Sequence, residues 1–254
     1  MRVSLTLAPP GRVRGARPCP ELRGWSLGSL DVGVAVRPSE LAAPCPVRRD
    51  VWLLRHGFKL SGPAVGKGRE YHEEVLGVFR AALRGWGGLR KAVTEGVVRS
   101  HAGAWAVAVA SAWLSGGCVP PIAVEPLLPP VAGFTRSRPD LVVGVAPVEV
   151  AYSPAGLNGR YAWRKRVEVA VYALIIEALT HSPVDYGWLV MVDDSSVHVE
   201  GVAIDDSLRE EALSAREEVA DVVASPAPPD LPSGGCPEAC PFIKTCLGEV
   251  SGDG

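Results

Sequence analysis

Glutamine is missing from this sequence, asparagine occurs once, at Asn158, and there are only 2 methionines. Such depletion of heat-labile side chains fits a thermophile, while the excess of 21 arginines over 5 lysines fits GC-rich coding equally well. Long apolar runs are also missing. The longest, "AWAVAVASAWL" at 104–114, is eleven residues, short of the ~18 a membrane helix needs, so a buried helix and no membrane partner are expected. The N-terminus has arginines but only a broken apolar stretch and no small-residue cleavage site, which argues against a secretory signal and for a cytoplasmic protein. Neither sign of charge dominates: the net charge of −2 gives no overall signature of nucleic-acid binding, so any such surface must be local. With 47% hydrophobic and 21% charged residues, the composition is that of an ordinary globule.

What the chain does have is cysteine. Three of its six lie in the tail "GGCPEACPFIKTCLG" (234–248), at Cys236, Cys240 and Cys246. Thiols kept reduced inside a cell serve metals, clusters or catalysis more often than disulfides, although a thermophile leaves a Cys19–Cys118 disulfide open. A tetrahedral metal or an iron–sulfur cluster takes four ligands, so a fourth must come from elsewhere.

Periodicity predicts a helix over 67–84, with His72, Val75, Leu76 and Phe79 on one face, and a second over 89–115. Short extended runs follow at 121–128, 140–145 and 147–152, the last two hairpin-like. A long helix from 160 to 181, with Val167, Val171, Leu174, Ile175 and Ala178 inward, precedes strands at 186–193 and 196–204 turning over "DDSS" and a polar helix at 205–224. This order predicts an α/β fold, a mixed sheet with helices on its faces. The expected division is an N-terminal segment 1–60, a core 61–224 and a cysteine segment 225–254.

"RPDLVVGVAPVEVAY" sets Asp140 at the head of one strand and Glu149 inside the next. If these pair, their carboxylates converge, and with His72 they make a set suited to Mg2+ or Mn2+. Spacing alone fits better with Asp140 capping a turn after Pro139, Glu149 facing solvent and His72 satisfied in the core. "GRYAWRKR" (159–166) interleaves Arg160, Arg164, Lys165 and Arg166 with Tyr161 and Trp163, cations for phosphates and rings for bases of a single strand. A solvated first helical turn fits it as well.

The segments "ELRGW" (21–25), "CPVRRDVWL" (45–53), "GREYHEEV" (68–75), "PDLVVG" with "VEVAY", "RKRVEVAVYALIIEAL" (164–179) and "CPEACPFIKTC" stand in this order over most of the chain. In them it resembles the CRISPR-associated RecB-like nucleases with a four-cysteine iron–sulfur site, most closely their archaeal type I-A variant. The resemblance implies a PD-(D/E)xK nuclease core with His72, Asp140 and Glu149 as metal ligands, and Glu149 and Tyr172 in the catalytic set. It also implies a lobe, built from both ends of the chain, holding an iron–sulfur cluster on Cys45, Cys236, Cys240 and Cys246. Cys19 is the rival fourth ligand, a 4Fe–4S cluster is favoured over 2Fe–2S, and zinc on the same thiols is the alternative. The implied partners are single-stranded DNA ends, the CRISPR integrase and other adaptation proteins. The pattern breaks at position 151, where alanine stands in place of the family's lysine, leaving Lys165 to reach back from the following helix. Two readings therefore stand side by side: a metal-dependent exonuclease trimming DNA ends during spacer acquisition, and a non-catalytic subunit that keeps the fold, the cluster and the DNA surface. A zinc-stapled nucleic-acid-binding protein outside CRISPR is a third.

Overall fold

The computed structural model describes residues 34–59, 63–116, 122–131, 133–236 and 240–247. Cys19, Cys118 and the "ELRGW" segment lie outside these residues, so neither the rival ligand nor the disulfide is addressed by the structure. Two short helices, α1 (Pro38–Leu41) and α2 (Arg49–Arg55), lead into α3 (Pro63–Ala82), α4 (Gly85–Thr94) and α5 (His101–Ser115). Strands β1 (Ile122–Val124), β2 (Leu141–Val143) and β3 (Ala146–Tyr152) follow. Then come α6 (Gly159–Thr180), β4 (Tyr186–Val192), β5 (Val197–Ala203), α7 (Asp206–Ala224) and α8 (Ile243–Cys246).

The predicted alternation of sheet and helix is present, and the five strands lie in sequence order in one mixed sheet. β1, β2 and β3 form an antiparallel meander, β3 and β4 run parallel, and β5 returns antiparallel to β4. The parallel pair requires a crossover, which α6 supplies. Period-two alternation sends Val148, Val150, Val190 and Val192 into the core shared with α3 and α5, and Ala151, Leu189 and Met191 into the core shared with α6 and α7. Lying between the sheet and α1 and α7, α6 is covered on nearly every side, and Val169 to Ala173 are all buried. It stops at His181, in the left-handed region at φ 52°, with Pro183 two residues on.

The single helix expected over 89–115 is two. Gly96 takes φ +76°, a conformation glycine adopts without steric cost. The Ser100 hydroxyl then caps α5 by accepting from the Ala102 and Gly103 amides. The buried Glu74 carboxylate accepts from the Arg99 and Ser100 amides at 2.6 and 2.8 Å, so the break is bonded to α3. A Cβ at Gly103 would fall 1.9 Å from Glu74 Oε1, so only glycine allows this approach. The apolar run in α5 is half-buried rather than fully buried: Trp105, Ala106 and Ala110 face the core while Ala108 and Ala112 are exposed. Among the described residues no helix is long and apolar enough to cross a membrane.

Candidate active site

Extending the β2–β3 register, in which Leu141 pairs with Val148, by one residue sets Asp140 opposite Glu149. Asp140 is fixed from two sides. Its Oδ2 accepts from the Val150 amide at 2.7 Å and its Oδ1 lies 2.6 Å from His72 Nε2, which reaches it from α3. Glu149 shares the face of Ala151 and meets α6, whose Lys165 Nζ donates to Glu149 Oε1 at 2.9 Å and to Glu168 Oε2 at 2.7 Å. Lys165 thus reaches the strand face on which position 151 carries alanine. Tyr172, two turns along α6, donates its hydroxyl to the Arg138 carbonyl at 3.3 Å. Asp140, Glu149, Lys165, Glu168 and Tyr172 line a cavity of about 270 Å3, with the buried Ser137 beside them and the exposed Arg37, Arg136 and Arg138 at its mouth. A wider depression of about 630 Å3 lies elsewhere, at Asp185 and Arg209, and its arginine is already held by Glu177 at 2.5 Å.

Electrostatically the cavity floor is over-supplied with carboxylates: Asp140, Glu149 and Glu168 share the Lys165 ammonium and the His72 imidazole. Burial, then the charges of Asp140 and Glu168, push the Glu149 carboxyl well up despite Lys165. Burial opposes the charge on Lys165, but Glu149 and Glu168 outweigh it and hold the ammonium firmly protonated. Burial likewise works against His72, yet its bond to Asp140 raises it overall. Tyr172 is driven up by burial and then by Glu168 and Glu149, so its phenol stays protonated. Glu149 Oε2 is buried with no hydrogen-bond partner among the described residues. Hard oxygens and an imidazole suit Mg2+ or Mn2+. As the side chains stand, however, no three His, Cys, Asp or Glu residues among those described are gathered closely enough to hold a metal ion. The carboxylates are paired with Lys165 and His72 instead.

The basic segment does not form the expected single-strand surface. Arg164 is buried and donates to the Cys45 carbonyl at 2.9 Å, Lys165 faces the carboxylates, and Arg166 grips Glu200 through two nitrogens at 2.9 and 2.8 Å. Tyr161 is half-buried with its ring 6.0 Å from Lys165 Nζ, and Trp163 bonds Glu211. Only Arg160 and Trp163 are exposed, because successive residues on a helix point about 100° apart and α6 is packed on most of its circumference.

All four expected cluster cysteines are free thiols, Cys45 and Cys240 buried, Cys236 and Cys246 half-buried. The fold brings α2 and α8 together: Leu53, Cys240 and Phe242 share a small core against Trp52, Ile243 and Cys246. Burial pushes the Cys240 thiol up to about 11, and both Cys240 and Cys246 lie within electrostatic reach of Cys45 and Cys236. The Cys45 backbone is fastened at both ends, its amide to Asp50 Oδ2 at 2.8 Å and its carbonyl to Arg164.

Sequence reasoning noted Glu168 only as standing where many family members carry glutamine, not as a partner of Lys165 at i, i+3, and it missed the arginines of "TRSRPD". Their signal was alternation in an extended segment immediately before Asp140.

The mixed α/β sheet thus brings two strand carboxylates together with a histidine from α3 and a lysine from α6. A family model described as CRISPR-associated exonuclease Csa1 matches residues 117–249, just over half of the sequence, and the chain belongs to that family. It is similar to the CRISPR-associated exonuclease Csa1 of Saccharolobus solfataricus, 29% identical over 118 residues, or 45% of this chain and 39% of that protein. The Thermoproteus tenax protein of the same name is 40% identical over 83 residues, 32% of this chain and 30% of its own. The matched stretches therefore span well under half the length of either relative.

Proposed function

We propose that the protein is a metal-dependent DNA exonuclease of the CRISPR adaptation machinery, with a PD-(D/E)xK core, acting on single-stranded ends beside the integrase. The observation that carries this reading is Lys165 Nζ held between Glu149 and Glu168 on the face where Ala151 leaves the family's lysine position empty of charge. Asp140, Glu149 and His72 would hold the divalent ion, and the unpartnered Glu149 Oε2 supplies a reason for one to bind. When bound, such an ion supplies Lewis acidity toward a phosphate oxygen and a water. The chain's own contribution is positional. Lys165 presents a fixed positive charge beside the phosphate, which stabilises negative charge developing on its oxygens. Tyr172 and Glu168 hold the lysine side of the cavity in place.

Cys45, Cys236, Cys240 and Cys246 would hold a 4Fe–4S cluster, or zinc, joining the α2 and α8 segments. The four-thiol donor set suits either group. The resemblance favours the cluster.

The test is single-turnover cleavage of end-labelled single strands with Mn2+, comparing wild type with Glu149→Ala and Asp140→Ala, after anaerobic purification with an absorption spectrum and iron analysis. Loss of cleavage in both variants supports the reading. A second reading, a non-catalytic DNA-binding subunit, is favoured by the pairing of both carboxylates with cations of the chain itself. Absence of cleavage by wild type with any divalent ion would establish it.

A further inference from the structure

Three arginines surround the mouth of the 270 Å3 cavity, and none of their side chains serves the fold. Arg37, Arg136 and Arg138 are exposed, and their guanidinium groups make no ion pair or hydrogen bond among the described residues. Other arginines are used structurally, such as Arg55 on Glu40, Arg166 on Glu200 and Arg209 on Glu177.

The backbone that presents them is held firmly. The Val36 amide donates to the Gly133 carbonyl at 3.0 Å and the Thr135 amide to the Val36 carbonyl at 2.9 Å, so Arg37 and Arg136 leave adjacent paired segments. The next residue but one is tied on the other side: Ser137 exchanges both backbone bonds with Leu128, at 2.9 and 3.1 Å. An extended strip pinned in this way alternates sides, leaving Arg136 and Arg138 outward and Ser137 inward. Ser137 is 7% exposed, lines the same cavity, and its Oγ is buried without a partner among the described residues. A buried hydroxyl without a bond is costly unless a ligand supplies one.

We infer that Arg37, Arg136, Ser137 and Arg138 form a phosphodiester-binding rim that grips the backbone of a single-stranded nucleic acid at the cavity mouth. Guanidinium forks and a hydroxyl donor match phosphate oxygens. The carboxylate floor repels those oxygens, so the rim holds the strand across the opening. Among the described residues Tyr172 is the one aromatic ring lining the cavity, and it is buried and bonded to the Arg138 carbonyl rather than presented for stacking. Recognition at the rim is therefore of phosphates and indifferent to base sequence. It takes the place of the stacking surface expected over 159–166. This inference rests on the nuclease reading only for its choice of ligand.

The test is fluorescence anisotropy with the full-length protein, labelled dT and dA homopolymers and an abasic strand of equal length, in EDTA over a salt series. Arg136→Ala with Arg138→Ala should weaken all three strands alike and reduce the slope of log K against log salt by about 1.4, roughly 0.7 for each phosphate of a single strand that is no longer neutralised. Arg37→Ala should reduce it by about 0.7, Arg136→Lys should largely restore the slope, and Arg160→Ala should leave it unchanged. Wild-type affinity and slope in the double variant, or weakening confined to one base composition, would overturn the rim. Cleavage with Mn2+ is scored separately. Arginine-dependent binding by a protein that never cuts would sink the nuclease and keep the rim; cutting by a protein whose binding ignores these arginines would do the reverse.

Discussion

Arg164 and Lys165 are neighbours in sequence and belong to different regions of the molecule. Lys165 turns into the carboxylate cavity, where it satisfies Glu149 and Glu168; Arg164 turns toward the cysteine region and bonds the Cys45 carbonyl. In the cavity every cation of the floor already has a carboxylate, and one carboxylate oxygen is left over. In the cysteine region the Cys45 backbone is bonded, the four thiols form no disulfide, and Arg49 bonds the Cys246 thiol. The first region is therefore held in shape by ion pairs made within the chain, whereas the second frames four thiols that form no disulfide among the described residues.

The largest effect is expected at the shared lysine. Lys165→Ala leaves buried Glu149 and Glu168 without their cation, which should cost about 3–5 kcal/mol of stability and lower cleavage by roughly 10²–10³-fold. Adding Ala151→Lys to that variant should recover part of both losses, because position 151 shares the face of Glu149; chemical denaturation and single-turnover rates measure them. No recovery in either would mean that the strand position cannot substitute for the helix position.

In the cysteine region, Cys240→Ser and Cys45→Ser should each abolish binding of the proposed metal or cluster, read by iron and zinc analysis, and lower the Tm. Cavity geometry should survive, so DNA affinity in EDTA should change little. Equal metal content in wild type and Cys45→Ser would remove Cys45 from the ligand set.

A smaller effect separates the two faces of α6. Arg164→Met should cost about 1.5–3 kcal/mol by breaking its charged bond to the Cys45 carbonyl, and should lower metal retention more than cleavage. An effect on cleavage alone would place Arg164 on the wrong side of this division.

The smallest concerns neither region. Asp193 closes the β4–β5 turn, its Oδ1 accepting from the Ser195 and Ser196 amides at 2.7 and 2.6 Å and its Oδ2 lying 2.7 Å from His198. Burial acts in the opposite direction, but these bonds hold its carboxyl down to about 2. The stabilisation is thus present above the unfolded value near 3.8 and is lost as pH falls through about 2. Asp193→Asn should lower the Tm near neutral pH by about 2–4 °C, the shift for roughly 1 kcal/mol in a domain of this size, with no change in cleavage.

Much of the fold was legible in the chain. Strand alternation around Val148 and Val150 and the apolar content of α6 predicted a mixed sheet with a crossover helix, because side-chain periodicity is a local property of each element. The pairing of "PDLVVG" with "VEVAY" was equally readable. The break between α4 and α5 was not, since a buried Glu74 on another helix helps to make it. Nor was the fate of "GRYAWRKR": four cations in a row look like one surface until α6 is packed, and only its rotation about its own axis sends Arg164 to Cys45, Lys165 to Glu149 and Arg166 to Glu200. By itself the sequence determined the periodicity of most elements and which residue types the site could draw on. Tertiary structure alone decided which charges meet, because pairing depends on distances of a few ångströms between side chains tens of residues apart.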